Sequence, residues 1–297
     1  MSATIQTRPA AAAPARVSRW RLLIQDRAAV TGMTILVAFI LLAITAPLFI
    51  HARDLNVTEV NGPLLHSPTT TYPLGTDQDG RSVLAMVIWG ARSSLLVGLI
   101  ATALTMLLGS LVGLLAGHYG GITSRLLMTL TDWFIVLPSL PLAISLSAMI
   151  GQGDASITIA IAVTSWATTA RLIRAQTLAV EARPYVERAR ALGAGDLQVM
   201  FRHVLPNVMP LILVSATLTV GGAIISQATL QFLGLGNPVE VNWGSILSTA
   251  FNQGDITSGA WWVLVPPGVA ILIVVLGFSL TGRAAERILN PQAAGGR

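Results

Sequence analysis

Few side chains in this sequence could do covalent or metal chemistry. The 297 residues include no cysteine, which removes a disulfide framework, a thiolate metal site and a cysteine nucleophile. His51, His66, His118 and His203 show no metal-ligand spacing and read as loop or border residues. All 18 basic residues are arginine. A P-loop needs a lysine on the nucleotide phosphates, so an ordinary Walker A site is excluded. No serine lies in a Gly-x-Ser-x-Gly context, and no histidine falls within an apolar run, which argues against an intramembrane serine hydrolase. What remains is the chemistry of pairing and docking, in two clusters. One sets Asp77 and Arg81 four residues apart among the turn formers Gly75, Thr76 and Gly80. The other is the run Pro184, Tyr185, Glu187, Arg188, Ala189, Ala191 and Gly193, which offers charges beside small residues.

The elements carrying these clusters follow from composition. Only 10% of residues are charged, 53% are hydrophobic, and the mean hydropathy is +0.71. A soluble domain carries roughly 25% charged residues, so this is the composition of an integral membrane protein. A helix needs about 20 apolar residues to cross a bilayer, because the backbone must satisfy its own hydrogen bonds in lipid. The gaps between charges predict six such helices: Ala28–Ile50, Ser93 to about Gly117, Leu126–Ile150, Ala155–Ala170, Asn207–Ala228 and Gly259–Gly282. The expected fold class is all-α, a polytopic helical bundle. The first run is too long for the apolar core of a secretory signal and reads as a retained anchor, behind a tail of residues 1–27. Pro138 and Pro141 should bend the third span, and Pro266 and Pro267 the sixth.

Arginine placement sets the expected orientation. With the N-terminus in the cytoplasm, 15 of the 18 arginines fall inside, leaving only Arg53, Arg81 and Arg92 outside. Both termini are then cytoplasmic, residues 290–297 forming a second tail. Asp132, the one acid within an apolar run, sits seven residues from Arg125, or about 10 Å along a helix. That places it near the membrane border, where pairing with an arginine outweighs a proton-carrying role. A proton-coupled transporter would set ionisable groups at the midplane, which this sequence does not.

Two loops exceed what a connection needs. In the outer one, residues 51–92, Thr76 or Asp77 is positioned to cap a short helix carrying Arg81 to Trp89, with an Asp77–Arg81 pair across one turn. In the inner one, Pro184 suits a first helical position and Gly193 a left-handed terminus, so a helix is predicted between them. Asp196 is positioned to cap a second short helix leading to Phe201. Glu187 can pair with Arg183 or Arg190 on its own helix, or with a partner.

The inner loop also carries a resemblance. Glu187-Arg188-Ala189 with Gly193, then nine residues, then His203-Val204-Leu205-Pro206, resembles the E-A-A loop of ABC importer permeases, with Arg188 in place of an alanine and His203 in place of an isoleucine. Arg202 to Asn207 is similar to the form found in the dipeptide, oligopeptide and nickel class. Leu74-Gly75-Thr76-Asp77-Gln78-Asp79-Gly80-Arg81 resembles the signature of that class's C-type permease. Phe232-Leu233-Gly234-Leu235-Gly236, followed by Trp243-Gly244, is similar to its last external loop.

The resemblance spans residues of about 28 to 289 and implies a transport core over 93–289. It implies a permease subunit, not an enzyme, in a bacterial cytoplasmic membrane. This subunit would pair with a second, homologous permease as a heterodimer. Two ABC ATPase subunits would dock on the inner loop through Tyr185, Glu187, Arg188, Ala189, Ala191, Gly193, His203, Leu205 and Pro206. An extracytoplasmic solute-binding protein would deliver di- or oligopeptides, nickel or another small solute. ATP and magnesium would sit on the partner ATPases, with no cofactor on this chain and no nucleic acid among its partners.

Overall fold

The computed structural model describes residues 26–289. The two tails, with the arginines before Arg27 and after Arg287, lie outside the described residues. All regular structure among those residues is helical, apart from one isolated antiparallel bridge between Thr76 and Ser82. Ten α-helices follow in order: α1 Arg27–Phe49, α2 Val83–His118, α3 Gly121–Val136, α4 Ser139–Ile150, α5 Asp154–Glu181, α6 Pro184–Ala191, α7 Asp196–Val199, α8 Leu205–Phe232, α9 Trp243–Asn252 and α10 Trp261–Leu289. Five helical stretches are long and apolar enough to cross a membrane, and the count is six when the bent pair α3–α4 is taken as one span.

α3 and α4 meet at 95°, so the third expected span is broken rather than curved. Leu137 precedes Pro138, whose ring excludes the helical region for its neighbour, and Leu137 is accordingly extended (φ −68°, ψ 133°). Pro141 falls in the first turn of α4, where its missing N–H breaks no bond. Pro266 and Pro267, by contrast, lie inside an uninterrupted α10.

Three helices outrun the charge-free segments that predicted them. α2 starts at Val83, ten residues before Ser93, and Ser82 caps it by accepting a hydrogen bond from the Ala85 N–H. The expected cap at Thr76 or Asp77 and the separate helix over Arg81–Trp89 are therefore corrected, since most of that stretch is the first part of α2. α5 continues past Arg171 and Arg174 to Glu181. Residues Asp196–Phe232 form one continuous helix in which Gly195, not Asp196, holds the cap position. It contains a π-helical turn over Met200–Val204. Pro206 explains that turn, because in α-register its ring would crowd the Arg202 carbonyl and the wider turn relieves the clash.

The bundle is built around α2 and α5. Gly109, Gly113 and Gly117 lie one above another on α2 and face Thr169, Ala170 and Thr177 of α5. A Cβ on Gly113 would come within 2.6 Å of the Ala170 carbonyl, so these backbones touch as closely as helices can. α8 packs on both α2 and α10, while α1 lies on the outside against α10. The Asp26 carboxylate caps α1 and pairs with Arg287 of α10 at 2.9 Å. Asp132 is paired as expected of a border residue, with Arg171 of α5 at 2.6 Å.

Candidate functional site

α6 is fixed at both ends and along one face. Pro184 occupies the first helical position after an extended Arg183. Val186 is wholly buried among Leu114, Val180, Val199, Val204 and Val208, contributed by α2, α5, α7, the π-turn and α8. At the other end Gly193 has φ +89°. The Ala194 N–H donates to the Ala189 carbonyl at 3.1 Å and the Gly193 N–H to Arg190 at 2.9 Å. This is the paired-bond Schellman terminus, and its left-handed position calls for glycine.

The opposite face of α6 is open. Glu187, Arg188 and Ala191 are exposed and Ala189 is half-buried. Leu192 is 89% exposed. Leu197 and Phe201, farther along, are exposed as well. Glu187 has no ion pair among the described residues, and Arg190 is turned instead to Glu181 of α5 at 2.6 Å. The rings of Tyr185 and His203 lie 6.2 Å apart, linking α6 to the π-turn. Leu205 packs on the apolar cluster beneath α6, and Pro206 is exposed.

At the far end of α2 the Asp77 cluster forms a closed turn. Asp77 is 2% exposed. Its Oδ1 accepts from the backbone N–H groups of Asp79 (3.1 Å) and Arg81 (2.7 Å), and its Oδ2 accepts from Arg81 Nε at 2.7 Å. Burial pushes the Asp77 carboxyl above its usual range, against the lowering influence of the Arg81 guanidinium. The Thr76 hydroxyl donates to the Pro63 carbonyl and accepts from the His66 N–H, while Trp262 of α10 donates to the Thr76 carbonyl. Gly75 and Gly80 are the turn residues on either side, and the Val83 N–H closes the unit onto the Gly75 carbonyl. This turn launches α2.

α9 was not anticipated from the sequence. Trp243 at its start is fully buried, its backbone N–H donating to Ser94 Oγ and its indole N–H to the Val87 carbonyl. Gly244 lies against the Ala228 carbonyl, where a Cβ would stand 2.5 Å away. Phe232 stacks edge-on with Phe251, Gly234 ends α8, and Gly236 lies against the Gln231 side chain. Gln231 in turn donates to Asp154 at 2.6 Å, and Ser93 donates to the other Asp154 oxygen at 2.8 Å. One carboxylate thus ties α2, α5 and α8. A cavity of about 640 Å³ opens between α9 and the Asp77 turn, lined by Asp77, Arg81, Trp89, Glu240, Thr249 and Asp255.

The family model of the binding-protein-dependent transport system inner membrane component matches residues 109–294. That of the N-terminal TM domain of oligopeptide transport permease C matches residues 17–68. The chain belongs to the binding-protein-dependent permeases. It is 35% identical over 281 residues to the dipeptide transport system permease protein of Alkalihalophilus pseudofirmus, covering 93% of this chain and 91% of that protein. Identity to the di/tripeptide transport system permease protein of Pseudomonas aeruginosa is 37% over 280 residues (92% and 91%). Identity to the glutathione transport system permease protein of Pectobacterium atrosepticum is 33% over 274 residues (92% and 90%). The protein is a multi-pass inner-membrane permease of a peptide-class ABC importer, and it is not an ATPase.

In this permease the motif residues gather at opposite ends of α2: the inner-loop set at the His118 end, the Asp77 and Trp243 sets at the Val83 end. Sequence reading missed Asp154, Gln231, His118 and Glu181, which join helices at those ends. His118 is buried at the end of α2, its Nδ1 in hydrogen-bond contact with Glu181 Oε1. It also missed the glycines of α2, whose spacing of four was legible as a helix-contact stripe.

Proposed function

We propose that this permease forms half of a pathway for di- or oligopeptides, paired with a second permease of the same class. Two ABC ATPase subunits, carrying the ATP and magnesium, dock on the open face of α6. A binding protein delivers the peptide at the Asp77 end, and both termini are cytoplasmic. The observation carrying the docking is Glu187, without an ion pair among the described residues, on an exposed face of a helix whose other face is locked into the bundle. Exposed Leu192 and Phe201, with arginines around them, suit a protein partner. The substrate class rests on the relatives, which are named for dipeptides, di/tripeptides, glutathione and oligopeptides.

Reconstitution of the permease with its ATPases, second permease and binding protein tests this reading. A labelled dipeptide should accumulate in proteoliposomes only with ATP, and Glu187→Ala should lower uptake and peptide-stimulated hydrolysis together. Uptake without ATP, or a fully active Glu187→Ala complex, would refute it.

A further inference from the structure

A polar cluster around the buried His118 and Glu181 lies where α2, α5 and α6 meet. His118 is the last residue of α2 and Glu181 the last of α5. Their side chains are 1% and 10% exposed, and His118 Nδ1 lies 2.5 Å from Glu181 Oε1. The other carboxylate oxygen, Oε2, lies 2.6 Å from Arg190 Nη2 of α6. His118 Nε2 faces Asp196 of α7 at 3.7 Å. One carboxylate therefore holds the ends of two spanning helices and the body of the docking helix.

Burying such a group is costly unless it is paired, and here Oε1 is hydrogen-bonded to His118 while Oε2 meets Arg190 as an ion pair without hydrogen-bond geometry. The remaining attachment of α6 is apolar, through Val186 and its neighbours. Apolar packing holds without direction, whereas charge-assisted contacts fix distance and angle. The chain itself ties α6 to α5 through Ala182 and Arg183 and to α7 through Leu192 to Gly195, but not to α2. The polar route from α6 to α2 runs through Glu181 and His118. Just above this cluster the Gly109–Gly113–Gly117 contact makes α2 and α5 a single body, and Ser93 and Asp154 join the pair again at its far end.

We propose that His118, Glu181 and Arg190 are positioning residues, forming the joint through which movement of α6 is delivered to the α2–α5 pair. The proposal rests on the docking of α6 on an ATPase and goes beyond it, since it concerns transmission after docking. Coupling of this kind needs a defined mechanical contact between the site that binds and the element that moves.

The test uses the full reconstituted complex. Arg188→Cys, cross-linked to an ATPase subunit, reports docking, and peptide moved per ATP hydrolysed reports transmission. Glu181→Gln and Arg190→Ala should keep the cross-link and continue to hydrolyse ATP. Peptide moved per ATP should fall about fivefold or more, the lower range of typical coupling between sites. The double variant should be no worse than the poorer single one, and Arg190→Lys should restore most of the ratio. A ratio equal to that of the wild type, or a proportionate loss of hydrolysis and transport, would overturn the joint. Arg190 is 42% exposed on its side chain, so Arg190→Ala decides the matter if Glu181→Gln fails to assemble. No cross-link from Arg188→Cys in an otherwise wild-type complex would instead overturn the docking itself.

Discussion

Gly193 offers the cleanest perturbation of the docking helix. Its φ of +89° lies in the left-handed region, and a Cβ built there meets nothing within 4 Å. Space is therefore not the constraint, and any cost of substitution comes from the backbone alone. A left-handed L-residue costs about 1–2 kcal/mol, more for a β-branched one, while asparagine tolerates the conformation. Gly193→Val should accordingly weaken the bonds from Ala194 to Ala189 and from Gly193 to Arg190 that terminate α6. If presentation of α6 limits coupling, about 2 kcal/mol corresponds to roughly a thirtyfold loss of the docked geometry. Peptide uptake and peptide-stimulated hydrolysis should fall in the order asparagine, alanine, valine, in complexes of unaltered subunit ratio. Wild-type behaviour of Gly193→Val would refute the argument. So would Gly193→Asn as damaging as valine, because that would point to side-chain size at a site where there is room.

Three further outcomes follow from other parts of the permease. Single cysteines at Gln198 and Val239, both exposed, should label from opposite faces of the membrane, position 198 from the cytoplasm; labelling of both from one face would reverse the proposed topology. Arg81→Met should leave the Asp77 carboxylate buried without its guanidinium, costing about 3 kcal/mol or more and lowering the melting temperature in detergent, which differential scanning fluorimetry reads directly. Glu240 is pushed above its ordinary range by burial and by the charge of Asp154, and it shares with Arg92 the lining of a second cavity, between α1 and α2. A raised carboxyl favours the protonated form in the folded loop, so stability is fully present below the ordinary glutamate value of 4.5 and is lost as pH rises through the raised one. Hydrogen exchange of residues 237–242, corrected for its intrinsic pH dependence, should report that loss, and Glu240→Gln should abolish it.

Helix number, the all-α class and the split of motifs between two ends were legible because lipid punishes charge and an apolar run can be counted. The 95° break at Leu137–Pro138 was legible only as a bend, since Pro138 forbids helix at one residue but says nothing about the direction the chain then takes. α9 was hidden because its ten residues are too few to span and its best marker, the Asn242–Ser245 capping box, is a short local pattern. Charge was the wrong ruler for helix length. Arg171 stopped the count for the fourth span, yet α5 runs on to Glu181. α2 has 36 residues, about 54 Å at 1.5 Å each, against a hydrocarbon thickness of about 30 Å. The surplus must project beyond the lipid, where charged side chains are tolerated and can be used. His118 and Glu181 end α2 and α5, and Asp154 begins α5 opposite Ser93. A charge that marks the end of the membrane thus need not mark the end of a helix, and in this permease such charges fasten the overhanging helix ends to one another.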